Sequence, residues 1–361
     1  MKNLMNADRR SVLKYGIGGA AAAMFASTRF ALADAISSAK IIASPEMSKG
    51  VAKSGKLRIG FSNGFSGNTW RTMNLKSMNK EAEANAGKYE LITVDGQGDI
   101  AKQVNDIEDL IAQNVDALLI IANSGTAVVP AIRKAMKAGI MTVPFNLPVD
   151  GEEWHAFIGT DPKKKGGMTG KYLSDALGGK GKIVALGGLP GNSYTAACWA
   201  GAKENFAPGI EVLAFKDASW EEDKAKVIMA DLIAAYPQID GIWADGGQDA
   251  LGGLKALIAA GRPLVPSVGD DYNGLLKIYD ANKDKNPKFK IGCVSEPTWE
   301  GVVALRTAQK LLAGGEVPKR QIIEPIVMDG SNYQNFIKKD LPDGVFVDTT
   351  LSDDELKTLF K

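Results

Sequence analysis

Polar side chains repeatedly follow short apolar segments that have the character of buried strands. They are amides and carboxylates, at Asn123 after Ile120-Ile121, Asn146 after Val143-Pro144-Phe145, Asp245 after Ile242-Trp243-Ala244, and Asp271 after Val268-Gly269-Asp270. In an open parallel α/β sheet the carboxyl ends of the strands share one edge, and ligands bind outside that edge. Side chains of this kind accept and donate hydrogen bonds to hydroxyl groups. The pattern therefore predicts a site for a polyhydroxylated small molecule.

Two tryptophans, Trp70 and Trp220, follow strand-like segments in the two halves of the chain. An indole face can bury the apolar C–H face of a sugar ring while the hydroxyl groups point elsewhere. If both rings reach one site, they would hold a ring from two sides. The alternative for each is a core aromatic residue of the neighbouring helix.

The elements that would position these residues alternate between strand and helix. Strands are expected at 57–62, 89–94, 117–121 and 140–145, with helices at 68–86, 100–113 and 126–138 between them, and the pattern restarts at residue 162. The two halves open alike, with Gly55-Lys56-Leu57 matching Gly181-Lys182-Ile183. Such alternation predicts βαβ units and parallel sheets. We therefore expect an α/β fold with two doubly wound parallel-sheet (Rossmann-like) domains.

The N-terminal segment has the order of an export signal. Arg9-Arg10 precedes an apolar run at 15–26, and Ala31-Leu32-Ala33 is a small-residue cleavage site. The run is shorter than the roughly 20 apolar residues that span a bilayer. Residues 1–33 are expected to be a cleaved signal peptide that resembles a twin-arginine signal, and 34–54 a linker. The alternative is a basic patch before a buried helix.

Composition excludes several classes of function. Cleavage after Ala33 would remove five of the 43 basic residues and one of the 42 acidic residues, which leaves a net charge of −3 and no basic stripe for nucleic acid. His155 is the only histidine, so multi-histidine metal sites are excluded, and no cofactor is expected. Cys198 and Cys293 are expected to be buried free thiols, although an exported protein could join them.

The chain resembles the periplasmic sugar-binding proteins of ABC importers, in their ribose-binding-like branch. The resemblance is carried by an ordered set of segments: 55–62 before Asn68-Thr69-Trp70, 106–113 before Val115-Asp116-Ala117, Ile158-Gly159-Thr160-Asp161, 188–193, and Val268-Gly269-Asp270-Asp271. It implies two domains joined by a three-segment hinge, with the ligand cleft between them. The N-terminal lobe would comprise 55–160 plus 297–327, and the C-terminal lobe 161–296 plus 328–361.

The resemblance also implies which residues contact the ligand. The candidates are Asn68, Trp70, Arg71, Asn123, Asn146, Asp161, Trp220, Asp245, Gln248, Asp271 and Glu296. Asp161 and Asp271 have an alternative as helix caps, since each precedes a helix. The family often has an arginine in the helix after 188–193, but this chain has Ala196-Ala197-Cys198, so Arg71 is expected to supply donors from the other domain.

The expected function is that of a monomeric periplasmic solute receptor, not an enzyme. It would capture a sugar, polyol or cyclitol by lobe closure and deliver it to a membrane permease. Alternatives are an exported carbohydrate-active enzyme that uses paired carboxylates, and a sugar-responsive transcription regulator, whose DNA-binding headpiece would have to occupy the place of the export signal. A cationic ligand stays open because Asp245, Asp270, Asp271 and Glu296 are acidic.

Overall fold

The computed structural model describes residues 36–360, so the predicted signal peptide lies outside the described residues. The first lobe contains a four-stranded parallel sheet whose order is β4-β3-β5-β6. Its strands are β3 (Leu57–Asn63), β4 (Tyr89–Asp95), β5 (Ala117–Ile121) and β6 (Met141–Pro144). Every residue of β5 is buried, as the continuous apolar run predicts for a strand covered on both faces.

The second lobe contains a six-stranded sheet with the order β15-β12-β11-β10-β8-β9. Its strands are β8 (Lys180–Gly187), β9 (Gly209–Asp217), β10 (Gly241–Ala244), β11 (Ser267–Gly269), β12 (Ile291–Val294) and β15 (Val327–Asp329). Five of them are parallel, and β15 closes one edge in the antiparallel direction. The carboxyl ends of the strands in each lobe carry the polar residues that the sequence singled out.

Helices connect the strands in both lobes. They are α1 (Thr69–Ala84), α2 (Ile100–Ala112), α3 (Val129–Lys137), α4 (Pro162–Ala176), α5 (Ser193–Asn205), α6 (Glu222–Ala235), α7 (Gly247–Ala259), α8 (Asn273–Asn282), α9 (Glu300–Leu312) and α10 (Asp353–Leu359). Helix α9 returns to the first lobe, where Arg306 pairs with Glu81 of α1 at 2.9 Å. The prediction of an α/β fold with two doubly wound parallel sheets is confirmed.

Short strands outside the two large sheets form two smaller sheets. Strands β1 (Ile41–Ala43), β14 (Arg320–Ile323) and β7 (Phe157–Gly159) form one small sheet, and β2 (Met47–Lys49) pairs with β13 (Glu316–Pro318). Strands β1 and β2 fall inside the segment 34–54 that was expected to be a linker. Their partners are more than 260 positions away, so local periodicity could not have revealed them.

The apolar segment 321–328 has the sequence pattern of a single strand, but the structure divides it between two strands. Strand β14 ends at Ile323 and β15 begins at Val327, each in a different sheet, with Pro325 between them. Proline has no backbone N–H and cannot donate to a ladder. The interruption marks a passage of the chain from one lobe to the other.

Cys198 and Cys293 are both buried and unpaired, which confirms the prediction of free thiols. Among residues 36–360, no helix combines the length and the hydrophobicity needed to cross a bilayer.

Candidate functional site

A small cavity of about 30 Å³ lies between the lobes, at the carboxyl ends of both large sheets. Its polar lining residues are Asn68, Arg71, Asn146, Gln248, Asp270 and Glu296, and its other lining residues are Trp70, Leu147, Tyr194, Trp220 and Phe346. Both lobes contribute, and both tryptophans of the sequence prediction are present.

The first-lobe wall is built by the start of helix α1. Asn68 caps the helix, since its Oδ1 accepts from the backbone N–H of Arg71 at 3.0 Å. This cap places Trp70 and Arg71 in the first turn, where both side chains reach the cavity. The Trp70 indole is 4% exposed and its Nε1 donates to the backbone carbonyl of Glu296 at 2.9 Å.

The guanidinium of Arg71 is buried and stacks on Trp70, with 5.5 Å between Cζ and the ring centroid. Its Nη1 donates to Asn63 Oδ1 at 3.1 Å, and within the described part of the chain no carboxylate oxygen lies within ion-pair distance. Burial lowers the pKa of Arg71 to about 9, against the opposing charges of Glu300, Asp95 and Glu296. A guanidinium has five N–H donors, so Arg71 retains donors for a ligand.

The second-lobe wall depends on a turn before helix α6. Ser219 and Trp220 both have left-handed backbone conformations, with φ of 63° and 56°. The turn seats the Trp220 ring against Gly188, where an added Cβ would overlap the indole. The Nε1 of Trp220 donates to Asp245 Oδ1 at 3.1 Å. Gly188 and Asp245 therefore set the position of the ring.

Asp245 is buried behind Trp220 and does not line the cavity. Burial raises its pKa to about 6, although hydrogen bonds from Thr195, Gly188 and Trp220 and the charge of Lys165 act in the opposite direction. The Gly188 backbone N–H donates to its Oδ2 at 3.3 Å. This carboxyl group supports the aromatic wall.

Glu296 is the centre of the cavity floor. Its Oε1 accepts from Asn146 Nδ2 at 2.9 Å, and its Oε2 accepts from Lys165 Nζ at 2.8 Å and from the Tyr194 hydroxyl at 2.7 Å. The Thr160 hydroxyl donates to both oxygens at 3.2–3.3 Å. Asn146 and Thr160 lie in the first crossing, the segment 146–161 that leads from the first lobe to the second, and Lys165 and Tyr194 lie in the second lobe. Glu296 therefore links these parts of the site.

Lys165 is a buried ammonium, 2% exposed, beneath this floor. Its Nζ donates to Glu296 and to the Tyr194 hydroxyl at 2.6 Å, and it pairs with Asp270 Oδ1. Burial opposes its charge, but Asp270 and Glu296 raise the pKa of Lys165 well above its usual value. Three partners match the three donors of an ammonium, so Lys165 orients three lining residues at once.

Asn146 occupies the first crossing with a left-handed backbone, φ 62°. Asparagine tolerates this conformation better than most residues. Its Nδ2 donates to Glu296, so an amide at this position supplies a donor that a carboxylate could not. The lobes also meet through Asn192 Nδ2, which donates to the carbonyl of Asn123 at 3.1 Å. The two lobes are therefore in direct contact, as in the closed form of a two-lobed protein.

Gln248 lies in the first turn of helix α7, next to Asp249, and lines the cavity. Its Oε1 is buried and has no hydrogen-bond partner among the described residues. Buried polar atoms are normally hydrogen-bonded. A hydroxyl donor from a ligand would satisfy this acceptor.

The structure brings seven of the eleven predicted site residues to the cavity: Asn68, Trp70, Arg71, Asn146, Trp220, Gln248 and Glu296. It places four elsewhere. Asp245 supports Trp220, Asn123 Nδ2 donates to the Gly64 carbonyl at 2.7 Å, and the exposed Asp161 caps helix α4 through the N–H of Lys164 at 3.0 Å. Asp271 accepts from the backbone N–H groups of Glu296 and Asp348 at 2.9 and 2.7 Å.

Sequence reasoning missed Lys165, Tyr194 and Phe346. The run Lys163-Lys164-Lys165 has the charge pattern of a solvated helix start, but only Lys163 and Lys164 are exposed. The neighbouring Gly166, packed against the Cys198 backbone, was the available signal that this helix face is buried. Among residues 36–360, no group of three or more His, Cys, Asp and Glu residues is arranged to hold a metal ion.

Residues 59–316 match the family model described as the periplasmic binding protein domain. The chain is 29% identical to the ribose import binding protein RbsB of Bacillus subtilis over 249 residues, which cover 68% of this chain and 78% of that protein. It is 32% identical to the xylitol-binding protein of Mycolicibacterium smegmatis over 239 residues, 65% of this chain and 67% of the relative.

Solved structures give the same result. An ABC transporter solute-binding protein from Mycobacterium smegmatis with bound glycerol aligns with a TM-score of 0.70 at 28% identity, over 79% of this chain and 98% of the other. A periplasmic solute-binding protein from Actinobacillus succinogenes with bound D-allose aligns with a TM-score of 0.66 at 25% identity, over 78% and 100%.

Proposed function

This chain belongs to the periplasmic binding protein family, in its ribose-binding-like branch, and we propose that it captures a sugar or polyol by closure of its two lobes. The relatives are binding proteins, and the chain is not an enzyme. The ligand would then be delivered unchanged to the permease of an ABC importer. The proposal is supported by relatives that are binding proteins for ribose and xylitol and by a similar solved structure with bound D-allose.

One observation carries the proposal: Trp70 of the first lobe and Trp220 of the second line the same cavity. Their faces can cover the C–H surface of a sugar or an extended polyol. Asn68, Arg71 and Gln248 stand beside them with donors and acceptors for hydroxyl groups. Because the groups come from both lobes, only the closed form makes every contact, and a ligand would favour closure.

The charges at the site favour a neutral ligand. Two cations, Arg71 and Lys165, stand against two carboxylates, Asp270 and Glu296, and Lys165 pairs with both carboxylates. A cationic ligand would have to compete with a buried ammonium for these acids. This supports a sugar, polyol or cyclitol over an amine.

We further propose that residues 1–33 direct export to the periplasm through a twin-arginine-like signal cleaved near Ala33. We also propose that the first lobe comprises 55–160 plus 297–327 and that the second comprises 161–296 plus 328–361. The mature protein would act as a monomer, with no nucleic-acid partner and no cofactor.

The test is a thermal-shift and calorimetric titration of the mature protein against glycerol, xylitol, ribose, D-allose and myo-inositol. At least one should raise the melting temperature, since a ligand at 100 times its Kd stabilises the folded state by about 2.7 kcal/mol. Mass analysis should return that compound unchanged. No stabilisation by any sugar or polyol, or conversion of one, would refute the proposal.

A further inference from the structure

The last 20 described residues, 341–360, form a segment that we call the C-terminal strap. By chain order it follows β15 of the second lobe. A terminal segment with no role would lie on one lobe or extend into solvent. The strap instead contacts both lobes and reaches the cavity.

The strap is fastened to the second lobe around the start of helix α8. The backbone N–H of Asn273 donates to Val345 O at 2.7 Å, and that of Gly274 donates to Asp343 O at 2.9 Å. The Asp343 carboxylate pairs with Lys277 at 2.8 Å and with Lys255 at 3.3 Å.

Beyond Asp343 the strap turns to the first lobe. The backbone N–H of Phe346 approaches Met73 Sδ of helix α1 at 3.4 Å, and Asp348 Oδ1 accepts from Trp299 Nε1 at 2.9 Å, just before helix α9. Near the end of the strap, Glu355 pairs with Lys80 of α1 at 2.6 Å. Both side chains of this pair are only 25% exposed.

Phe346 lies between these two sets of contacts. Its side chain is 1% exposed, packs edge-on against Tyr272 with ring centroids 5.4 Å apart, and lines the interlobe cavity. It is therefore an aromatic wall of the cavity that belongs to neither sheet.

We propose that the C-terminal strap selects the ligand: Phe346 closes one side of the cavity and limits the length of the ligand, and the Lys80–Glu355 pair holds this wall against the first lobe. The inference rests on the proposed function, because it concerns the ligand of the same cavity. When the lobes open, the strap must either release helix α1 or move with it. Loss of the pair should therefore speed ligand release.

The length limit is tested with linear alditols of three to seven carbons, titrated calorimetrically into the wild type and Phe346→Ala. The wild type should bind one chain length best, and Phe346→Ala should lose about tenfold in affinity for it while its preference moves to a longer alditol. Phe346→Leu, which keeps most of the volume, should retain the original preference. An unchanged preference in Phe346→Ala would overturn the assignment.

The attachment of the strap to the first lobe through the Lys80–Glu355 pair is tested with Lys80→Met. The control is Lys134→Met, because Lys134 pairs with Glu108 inside the first lobe at 2.8 Å. Stopped-flow tryptophan fluorescence should show alditol release two- to fivefold faster in Lys80→Met only, as expected for loss of one ion pair. Equal release rates in the two variants would contradict this attachment.

A third measurement needs no ligand and separates failure of the strap from failure of the proposed function. Hydrogen–deuterium exchange of the unliganded protein should show protected amides at 346–348 and 353–359, with faster exchange at 353–359 in Lys80→Met. If neither the alditols nor the sugars and cyclitols bind but these amides are protected, the proposed function fails and the strap is a structural element only. If a sugar or cyclitol binds and no alditol does, the proposed function stands and the length limit is overturned. Fast exchange at these amides would show that the strap does not pack against the two lobes.

Discussion

The indole Nε1 of Trp70 donates to the backbone carbonyl of Glu296, 2.9 Å away, although 226 positions separate the two residues in the chain. This bond joins the first turn of helix α1 to the crossing that follows β12. The ring that forms one wall of the cavity is thereby attached to the residue that organises its floor. Ligand contact and lobe closure are consequently coupled at Trp70.

Replacement of Trp70 by alanine should weaken ligand binding by about 2 kcal/mol or more, roughly thirtyfold, because a central aromatic contact is lost. Trp70→Phe keeps an aromatic face and loses the bond to Glu296, so it should lose less than Trp70→Ala. Calorimetry measures both. Trp154→Phe, a buried tryptophan outside the cavity, is the control and should bind normally. Equal affinity in Trp70→Ala and the control would remove Trp70 from the site.

Lys165→Met should lower the free energy of unfolding by about 3–5 kcal/mol, because two buried carboxylates, Asp270 and Glu296, lose their cation. Lys164→Met is a matched control from the same run of lysines, 52% exposed, and should change stability by less than about 0.5 kcal/mol. Urea denaturation distinguishes them. Similar small losses of unfolding free energy in both variants would show that Lys165 does not stabilise the buried carboxylates of Asp270 and Glu296.

Gly188→Ala should displace the Trp220 ring, because the added Cβ would overlap the indole. Overpacking of this kind costs about 1–3 kcal/mol, and we expect affinity for the ligand to fall about tenfold. Gly87→Ala is the control, since no atom lies within 4 Å of a Cβ at that position. If Gly188→Ala binds as tightly as Gly87→Ala, Trp220 is not positioned by this contact.

Asp271→Asn should act mainly on stability. The carboxylate accepts from two backbone N–H groups, of Glu296 and Asp348, and an amide can keep only one of these bonds. A lost bond to a charged group is worth about 1.5–3 kcal/mol. The unfolding free energy should fall by that amount, whereas the exposed Asp340→Asn should be neutral. Full stability with abolished binding would instead make Asp271 a ligand contact.

Asp245 should make stability depend on pH. Its pKa is about 6 in the folded protein against an ordinary value of 3.8, so the folded state binds the proton more tightly. The contribution of Asp245 to the free energy of unfolding should therefore fall as pH rises from about 4 to about 6. The side chain of Asp245→Asn does not titrate. The free energy of unfolding of this variant, relative to that of the wild type, should therefore increase by up to about 3 kcal/mol over this pH range, at about 1.4 kcal/mol per pH unit. A pH-independent difference would contradict the shift.

Much of the fold was predictable because its elements are locally encoded. Strand β5 was expected and found at 117–121, and helix α4 begins at Pro162 as its Asp-Pro start predicts. The position of Trp70 and of Trp220, each just beyond the carboxyl end of a strand, followed from the topology of a parallel sheet. These inferences need only the pattern along the chain and the topology of a parallel sheet.

The remaining features depend on contacts between distant segments. Lys165 differs from Lys164 only in the helix face it occupies, and the pattern of charges does not reveal burial. Asp270 and Asp271 are adjacent, but only Asp270 lines the cavity, because Asp271 is held by two backbone N–H groups. Phe346 reaches the cavity from a C-terminal segment whose partners lie in both lobes. Only the assembled structure brings these groups together.

The most direct measurement is a crystal structure of the mature protein with the tightest-binding sugar or polyol. We expect the ligand to lie between Trp70 and Trp220, with hydroxyl groups bonded to Arg71 and Gln248 and with the lobes closed. A ligand bound outside the interlobe cavity, or within it but without contact to either tryptophan, would contradict the account.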